Sequence, residues 1–183
     1  MEQLKVDPRV VRTRKLILNA FIHLSETKEF KDISVKDVTT EAQINRATFY
    51  YHFQDIYDLL EKSLSEVLSV KMPEVTSWNG DTLVALFSAI TDFQASLSTR
   101  CHRGYEDTIA RIIRDQIEVV LVRLLSAEAN YLSKETISLL ATITSWSLYG
   151  ASMEWKRTQS LSAEEFIRPI LPHLVAIPLI QTQ

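Results

Sequence analysis

Between Val35 and Phe53 the apolar residues keep helical spacing as far as Ala42, break, and resume at Phe49 and Phe53, four positions apart. The interruption is Gln43-Ile44-Asn45. Two short helices joined so tightly need a shared apolar clamp to fix their angle, and Val35, Val38, Ala42, Ile44, Phe49 and Phe53 supply one. Asn45 stands where an N-cap belongs, because its side-chain oxygen can satisfy an unpaired amide, and Arg46 then opens the second helix.

At about 100° per residue, turning Phe49 and Phe53 inward turns Ala47 and Tyr51 outward, with Thr48, Tyr50 and His52 on the flanks. That face is rich in rings and nearly free of acids. Aromatic clusters usually pack against a neighbouring helix, but on the outside of a short helix they call for something to cover them. A nucleic-acid backbone fits: hydroxyl and imidazole groups donate to phosphate oxygens, and Ala47 and the Thr48 methyl suit a thymine methyl. Arg46 is best placed to read a base directly. Upstream, Arg9, Arg12, Arg14 and Lys15 occur without an intervening acid. They lead into an amphipathic helix carrying Leu16, Ile17, Ala20, Phe21 and Leu24, and add positive charge suited to phosphate.

The run Thr48-Phe49-Tyr50-Tyr51-His52-Phe53, preceded by Phe30-Lys31-Asp32-Ile33-Ser34-Val35-Lys36-Asp37-Val38 and followed by Gln54-Asp55-Ile56-Tyr57-Asp58-Leu59-Leu60, resembles the DNA-binding head of the tetracycline-repressor (TetR) family. The likeness covers roughly the first third of the chain. It implies a homodimeric repressor whose larger C-terminal domain binds a small molecule and then releases DNA. By the same resemblance, Tyr50 and His52 fall at phosphate-holding positions, and Arg46, Ala47, Thr48 and Tyr51 at positions facing base edges or sugars. Ser34 and Lys36 match backbone and base contacts at the start of the preceding helix. Two positions depart from the pattern: Gln43 stands where the turn commonly has glycine, and Ile56 where a lysine is frequent. The first asks a non-glycine to adopt the turn geometry, at a modest strain cost if its φ is positive. The second removes one phosphate contact.

With 183 residues the chain can bury a core in a DNA-reading head and in one further domain. Three glycines, five prolines and near-continuous helical spacing predict an all-α fold. Residues 1–54 are expected to form the helix-turn-helix domain, 55–72 a connecting helix, and 73–183 a helical ligand-binding and dimerisation domain. A formal net charge of −3 does not conflict with site-specific DNA binding, which needs only a local basic patch. The single Cys101 forms no intrachain disulfide, and no secretory or membrane-length apolar run is present, so a cytoplasmic protein without a membrane partner is expected. Cys101 beside His102 lacks the spaced ligand set that zinc requires. No glycine-rich nucleotide loop, His-Glu-x-x-His pair or nucleophile elbow occurs. Neither catalysis, a metal nor a cofactor is therefore expected.

Past Trp78-Asn79-Gly80-Asp81, a helix carries Leu83, Leu86, Phe87, Ile90 and Leu97 on one stripe, and Gln94 shares that stripe. A polar side chain there either bonds a neighbouring helix or points into a ligand cavity. Phe87, Gln94, Tyr105, Trp146 and Tyr149 are the candidate lining residues of such a cavity. Ile109 through Leu124 repeat as one long amphipathic helix. From about Lys134 to Arg157 the pattern is double: Ile137, Leu140, Ala141, Leu148 and Trp155 mark one face, and Leu139, Ile143, Trp146, Gly150 and Met153 another.

A helix with two apolar faces in a domain with one core directs the second face to another chain. Gly150-Ala151-Ser152 would allow close approach, and Trp146, Gly150, Met153, Ile170 and Leu174 are the expected dimer contacts. In the family that the head resembles, the last two helices form an intersubunit four-helix bundle. The final helix should start at a serine cap, Ser160 or Ser162, and kink near Arg168 because of Pro169 and Pro172.

These features favour a dimeric regulator that binds a palindromic double-stranded operator and is released by an unidentified small molecule. A helix-turn-helix adaptor controlled by a protein partner is the alternative, and a small helical enzyme is a third hypothesis for which no catalytic set is visible.

Overall fold

The structure is a computed structural model that describes residues 7–97, 105–129, 131–158 and 161–176. Every regular element among them is helical, and none of these helices is long and apolar enough to cross a membrane. The fold divides into two compact units.

The first unit contains the described residues up to Leu64, together with Leu97, Tyr105 and Glu106. Helix α1, Pro8–Thr27, starts with Pro8 in the first turn, where no amide donor is needed, and with Asp7 Oδ1 accepting from the Arg9 amide at 2.8 Å. Its inner side is Ile17, Leu18, Ala20 and Phe21. Leu16, expected on the buried stripe, is 44% exposed and Leu18 takes its place. The buried arc centres on Ile17 and Phe21, which leaves Leu16 at its edge. A 3₁₀ turn, Phe30–Asp32, buries Phe30, and α2 (Val35–Glu41) and α3 (Arg46–His52) follow. Val38, Phe49 and Phe53 are almost completely enclosed. Val35, Ala42 and Ile44, the rest of the expected clamp, are half-buried. Truncating either phenylalanine to alanine would cost about 3–5 kcal/mol. Helix α4, Ile56–Lys71, opens on Asp55, whose Oδ1 accepts from the amides of Tyr57 and Asp58, each at 2.8 Å.

The second unit is built round α5, Gly80–Ser96. Asn79 caps it through the Thr82 amide at 2.9 Å, and Leu83, Leu86, Phe87, Ile90 and Phe93 are fully enclosed. Helices α6 (Glu106–Glu128) and α7 (Lys134–Thr158) follow. They are tied by the Thr142 hydroxyl donating to Glu118 Oε1 at 3.0 Å and by the Arg114 guanidinium lying 3.7 Å from the centre of the Trp146 ring.

The chain then forms α8 (Ala163–Ile167), a 3₁₀ turn at Arg168–Ile170, and α9 (Leu171–Ala176). Of the two candidate caps, Ser162 does the capping, in a reciprocal box with Glu165; Ser160 lies outside the described residues. The break expected at Pro169 is that 3₁₀ turn. The terminal segment packs chiefly on α5. Phe166 stacks on Phe87 with ring centres 6.3 Å apart, and Trp78 Nε1 donates to the Val175 carbonyl at 3.1 Å. Packing on α5 buries Leu171 and Leu174, so Leu174, expected at the dimer contact, belongs instead to the protomer's own core.

Candidate nucleic-acid interface

The turn that presents α3 is a complete left-handed helix cap. The Ile44 amide donates to the Thr39 carbonyl at 3.0 Å and the Gln43 amide to the Thr40 carbonyl at 3.2 Å. This is the paired bonding of a Schellman motif. Gln43 has φ of 54°, the one positive value among described residues other than glycine. It therefore occupies the conformation that glycine takes without penalty.

Two caps fix the helices on either side. Ser34 and Asp37 bond reciprocally: the Asp37 amide donates to Ser34 Oγ at 3.2 Å, the Ser34 amide donates to Asp37 Oδ2 at 2.9 Å, and the Ser34 hydroxyl also donates to that carboxylate. Lys28 adds an ion pair to Asp37 Oδ1 at 3.0 Å. The Ser34 bonds first, and Lys28 next, hold the Asp37 carboxyl far below the ordinary carboxylate range. At α3 the Asn45 oxygen accepts from the Thr48 amide at 2.8 Å and from its hydroxyl at 3.0 Å.

On α3, Arg46, Ala47, Tyr50 and Tyr51 are exposed, Tyr51 at 72%. Thr48 and His52 are half-buried. The Tyr51 and His52 rings meet edge to face at 5.1 Å. Burial, and then the positive charge of Arg14, keep the His52 pKa below the usual imidazole value. At neutral pH its ring offers a single N–H donor and no charge. Arg14 itself lies over the Phe53 ring at 5.1 Å, so one residue of the basic lead-in is held against the end of α3. Lys36 is exposed on α2. Ser34 is exposed too, but its hydroxyl proton is committed to Asp37.

The structure thus gathers Arg46, Ala47, Tyr50 and Tyr51 on one outward face, with Thr48 contributing a methyl because its hydroxyl is engaged. The Ser34-x-x-Asp37 box was legible as a serine followed three residues later by an acid at the head of an apolar run. The basic lead-in marked Arg14 as one of four cations, but nothing in it singled out the one that reaches Phe53.

The candidate pocket residues are not brought together as a set. Tyr105 belongs to the first unit, its ring 4.5 Å from Phe30 and 6.0 Å from Tyr57, and not to a cavity in the second. Trp146 is 55% exposed on the outer stripe of α7 and lines no cavity with them. Phe87 is core against Phe166. Gln94 is buried, with Nε2 donating to Ser152 Oγ at 3.2 Å and to the Met153 sulfur at 3.7 Å, while Oε1 has no protein partner. Tyr149 is half-buried, and desolvation raises its pKa. Cys101 and His102 lie outside the described residues.

A capped pair of short helices at a fixed turn, with an acid-free aromatic and basic outer face, defines a helix-turn-helix unit. Residues 17–62 match the family model for bacterial regulatory proteins of the tetR family. Residues 17–62 therefore form a helix-turn-helix head similar to that of this family.

It is 36% identical over 69 residues to the uncharacterized HTH-type transcriptional regulator YxbF of Bacillus subtilis (strain 168), a match covering 35% of this chain and 18% of that protein. It is 32% identical over 78 residues to the HTH-type dhaKLM operon transcriptional activator DhaS of Lactococcus lactis subsp. lactis (strain IL1403), covering 40% of this chain and 41% of that one. The chain thus spans less than half the length of these curated relatives. Among solved structures, the dihydroxyacetone kinase operon activator DhaS superposes with a TM-score of 0.60 at 20% identity, covering 94% of this chain and 99% of that one. The TetR family repressor AlkX from Dietzia sp. strain DQ12-45-1b gives 0.55 at 18%, covering 90% and 96%. Both share the fold.

Proposed function

We propose that the protein is a homodimeric repressor that holds a palindromic operator through two copies of α3 and is released by a small uncharged molecule bound in the second unit. The observation that carries the DNA reading is the outward face of α3. In it Arg46 reads a base edge, Ala47, the Thr48 methyl and Tyr51 face bases or sugars, and Tyr50 and His52 donate to phosphate. Lys36 adds a contact from α2. Ser34 contributes mainly by capping α2.

The outer stripe of α7 supports the dimer. Leu139, Ile143, Trp146 and Met153 are each 46–61% exposed, and Gly150 lies among them with nothing within 4 Å of an added Cβ. Val119 on α6 and Ile170 are exposed as well. The polar side chains buried among the described residues of the second unit are all uncharged: Thr82, Thr91, Gln94, Thr144, Ser145 and Ser152. The unpartnered Gln94 oxygen favours an effector that brings a hydrogen-bond donor.

Helix α4 begins in the first unit and ends in the second. An effector that shifts its far end would change the separation of the two α3 helices from one DNA turn, about 34–36 Å. Effector and operator affinities are then reciprocally linked. Activation is the second reading, favoured by the likeness of the head to that of the Lactococcus lactis operon activator DhaS, 32% identical over 78 residues.

The test is selection of a duplex from a random pool, followed by fluorescence anisotropy. Tyr50→Phe and His52→Ala should weaken binding to selected and scrambled duplexes alike. Arg46→Ala should also flatten the preference at one base position by about 1–3 kcal/mol. Parental affinity in all three variants would overturn the assignment.

A further inference from the structure

Met153 stands on the outer stripe of α7, 47% exposed, yet its sulfur is tied to the inside of the second unit. Gln94 of α5, 9% exposed, donates from Nε2 to Ser152 Oγ at 3.2 Å and to Met153 Sδ at 3.7 Å. Ser152 fixes which way that amide points. Its hydroxyl proton goes to the Tyr149 carbonyl at 2.7 Å, so toward Gln94 the serine oxygen only accepts. Both protons of the amide are therefore committed, one to a hydroxyl oxygen and the other to a thioether. A thioether sulfur carries two lone pairs. The amide engages one from the buried side, and the other is left to the exposed side of the helix.

We propose that Met153 is an oxidation site that takes one oxygen from a hydroperoxide on its outward lone pair, giving a single sulfoxide epimer, and that this oxygen makes the outer stripe of α7 polar. The outward lone pair attacks one peroxide oxygen, the O–O bond breaks and the S–O bond forms. The other oxygen leaves as water, or as an alcohol from an alkyl peroxide, taking the proton of the oxygen attacked. Sulfur loses two electrons and the peroxide gains them. Gln94 is the positioning residue, because its bond to the inner lone pair decides which face of the sulfur reacts. The product replaces a flexible apolar side chain by a polar, chiral one in the middle of an apolar stripe, which opposes whatever apolar surface packs there. For its consequence the proposal rests on the reading in which that stripe meets a second copy.

The test uses the full chain and dilute hydrogen peroxide, with neither operator nor effector. The two sulfoxide epimers are told apart by digesting the oxidised protein and treating the Met153 peptide with each of the two methionine sulfoxide reductases, one for each epimer, and a dithiol. In the parent one epimer should exceed the other by about fivefold, the size of one hydrogen bond's net contribution. In Gln94→Leu the two should form almost equally, and Gln94→Ala provides the same comparison if the leucine variant does not fold. Sedimentation equilibrium then follows self-association. Full conversion of Met153 should weaken it by about tenfold in the parent, whereas peroxide should leave Met153→Leu unchanged. Equal epimers in the parent, the same excess without Gln94, or association that conversion leaves intact would each overturn the proposal. A parent that stays monomeric before any oxidant is added refutes the dimer reading instead, and the epimer ratios then decide whether Met153 is the site.

Discussion

Replacing Gln43 with glycine should stabilise the protein, although it deletes a side chain. At φ of 54° the Gln43 Cβ crowds its own backbone, a penalty of about 1–2 kcal/mol for an L-residue in the left-handed region. Glycine avoids that penalty but loses more freedom on folding, about 0.5–1 kcal/mol. The difference is a net gain of about 0.5–1 kcal/mol, since Gln43 is exposed and no buried packing is lost. For a chain of this length that is a rise in Tm of roughly 1–4 °C, read by circular dichroism at 222 nm. Two further variants isolate the cause. Gln43→Ala keeps the Cβ and should stay within about 0.5 kcal/mol of the parent, whereas Gln43→Val, branched at Cβ, should be less stable. The reasoning fails if glycine is no better than the parent, or if alanine matches glycine, because either result would mean that backbone strain does not govern this position.

Asp37→Ala should cost about 1 kcal/mol at pH 7, a charge-assisted cap discounted for its partial exposure. Because folding depresses the Asp37 pKa, its contribution is complete above the unfolded value of about 3.9 and is lost as pH falls through the folded one. The stability gap between parent and variant in urea titrations should therefore narrow below about pH 4. Asn45→Ala should lower head stability by about 1 kcal/mol and weaken operator binding without changing base preference. Gly150→Leu discriminates a dimer face from a surface accident. The added side chain starts from a Cβ position with no neighbour within 4 Å in the protomer and removes a poor helix former, so helicity should hold or rise while sedimentation shows weaker self-association. An unchanged association constant would sink the dimer face.

Much of the head was legible because its signals are local. Phe49 and Phe53 one helical turn apart, Asn45 as a cap and the glycine-like position of Gln43 each reflect constraints acting over a few residues. The split of α7 was legible for the same reason: Ile137, Ala141 and Leu148 are buried while Leu139, Ile143 and Trp146 are exposed, as a two-faced helix requires. What escaped the sequence depends on contacts between remote segments. Nothing in the neighbourhood of Tyr105 says that its ring will meet Phe30, and nothing around Leu174 distinguishes burial on α5 from burial in a partner. Trp146 carried the opposite difficulty, since an aromatic on an apolar stripe reads the same whether that stripe faces a cavity or the outside. Leu16 was misplaced by one step of a helical wheel, where a single residue decides between the core and its rim.

The aromatic cluster round Phe30 also orders events during synthesis. When Leu64 has emerged from the ribosome, α1, α2, α3 and the first half of α4 exist in sequence, but the Tyr105 ring that meets Phe30 is still unmade. At about 5–20 residues per second, the stretch from Leu64 to Tyr105 takes roughly 2–8 s to deliver. For that interval the nascent head must persist with one wall of its core missing, and its final closure waits on the chain that will become α6.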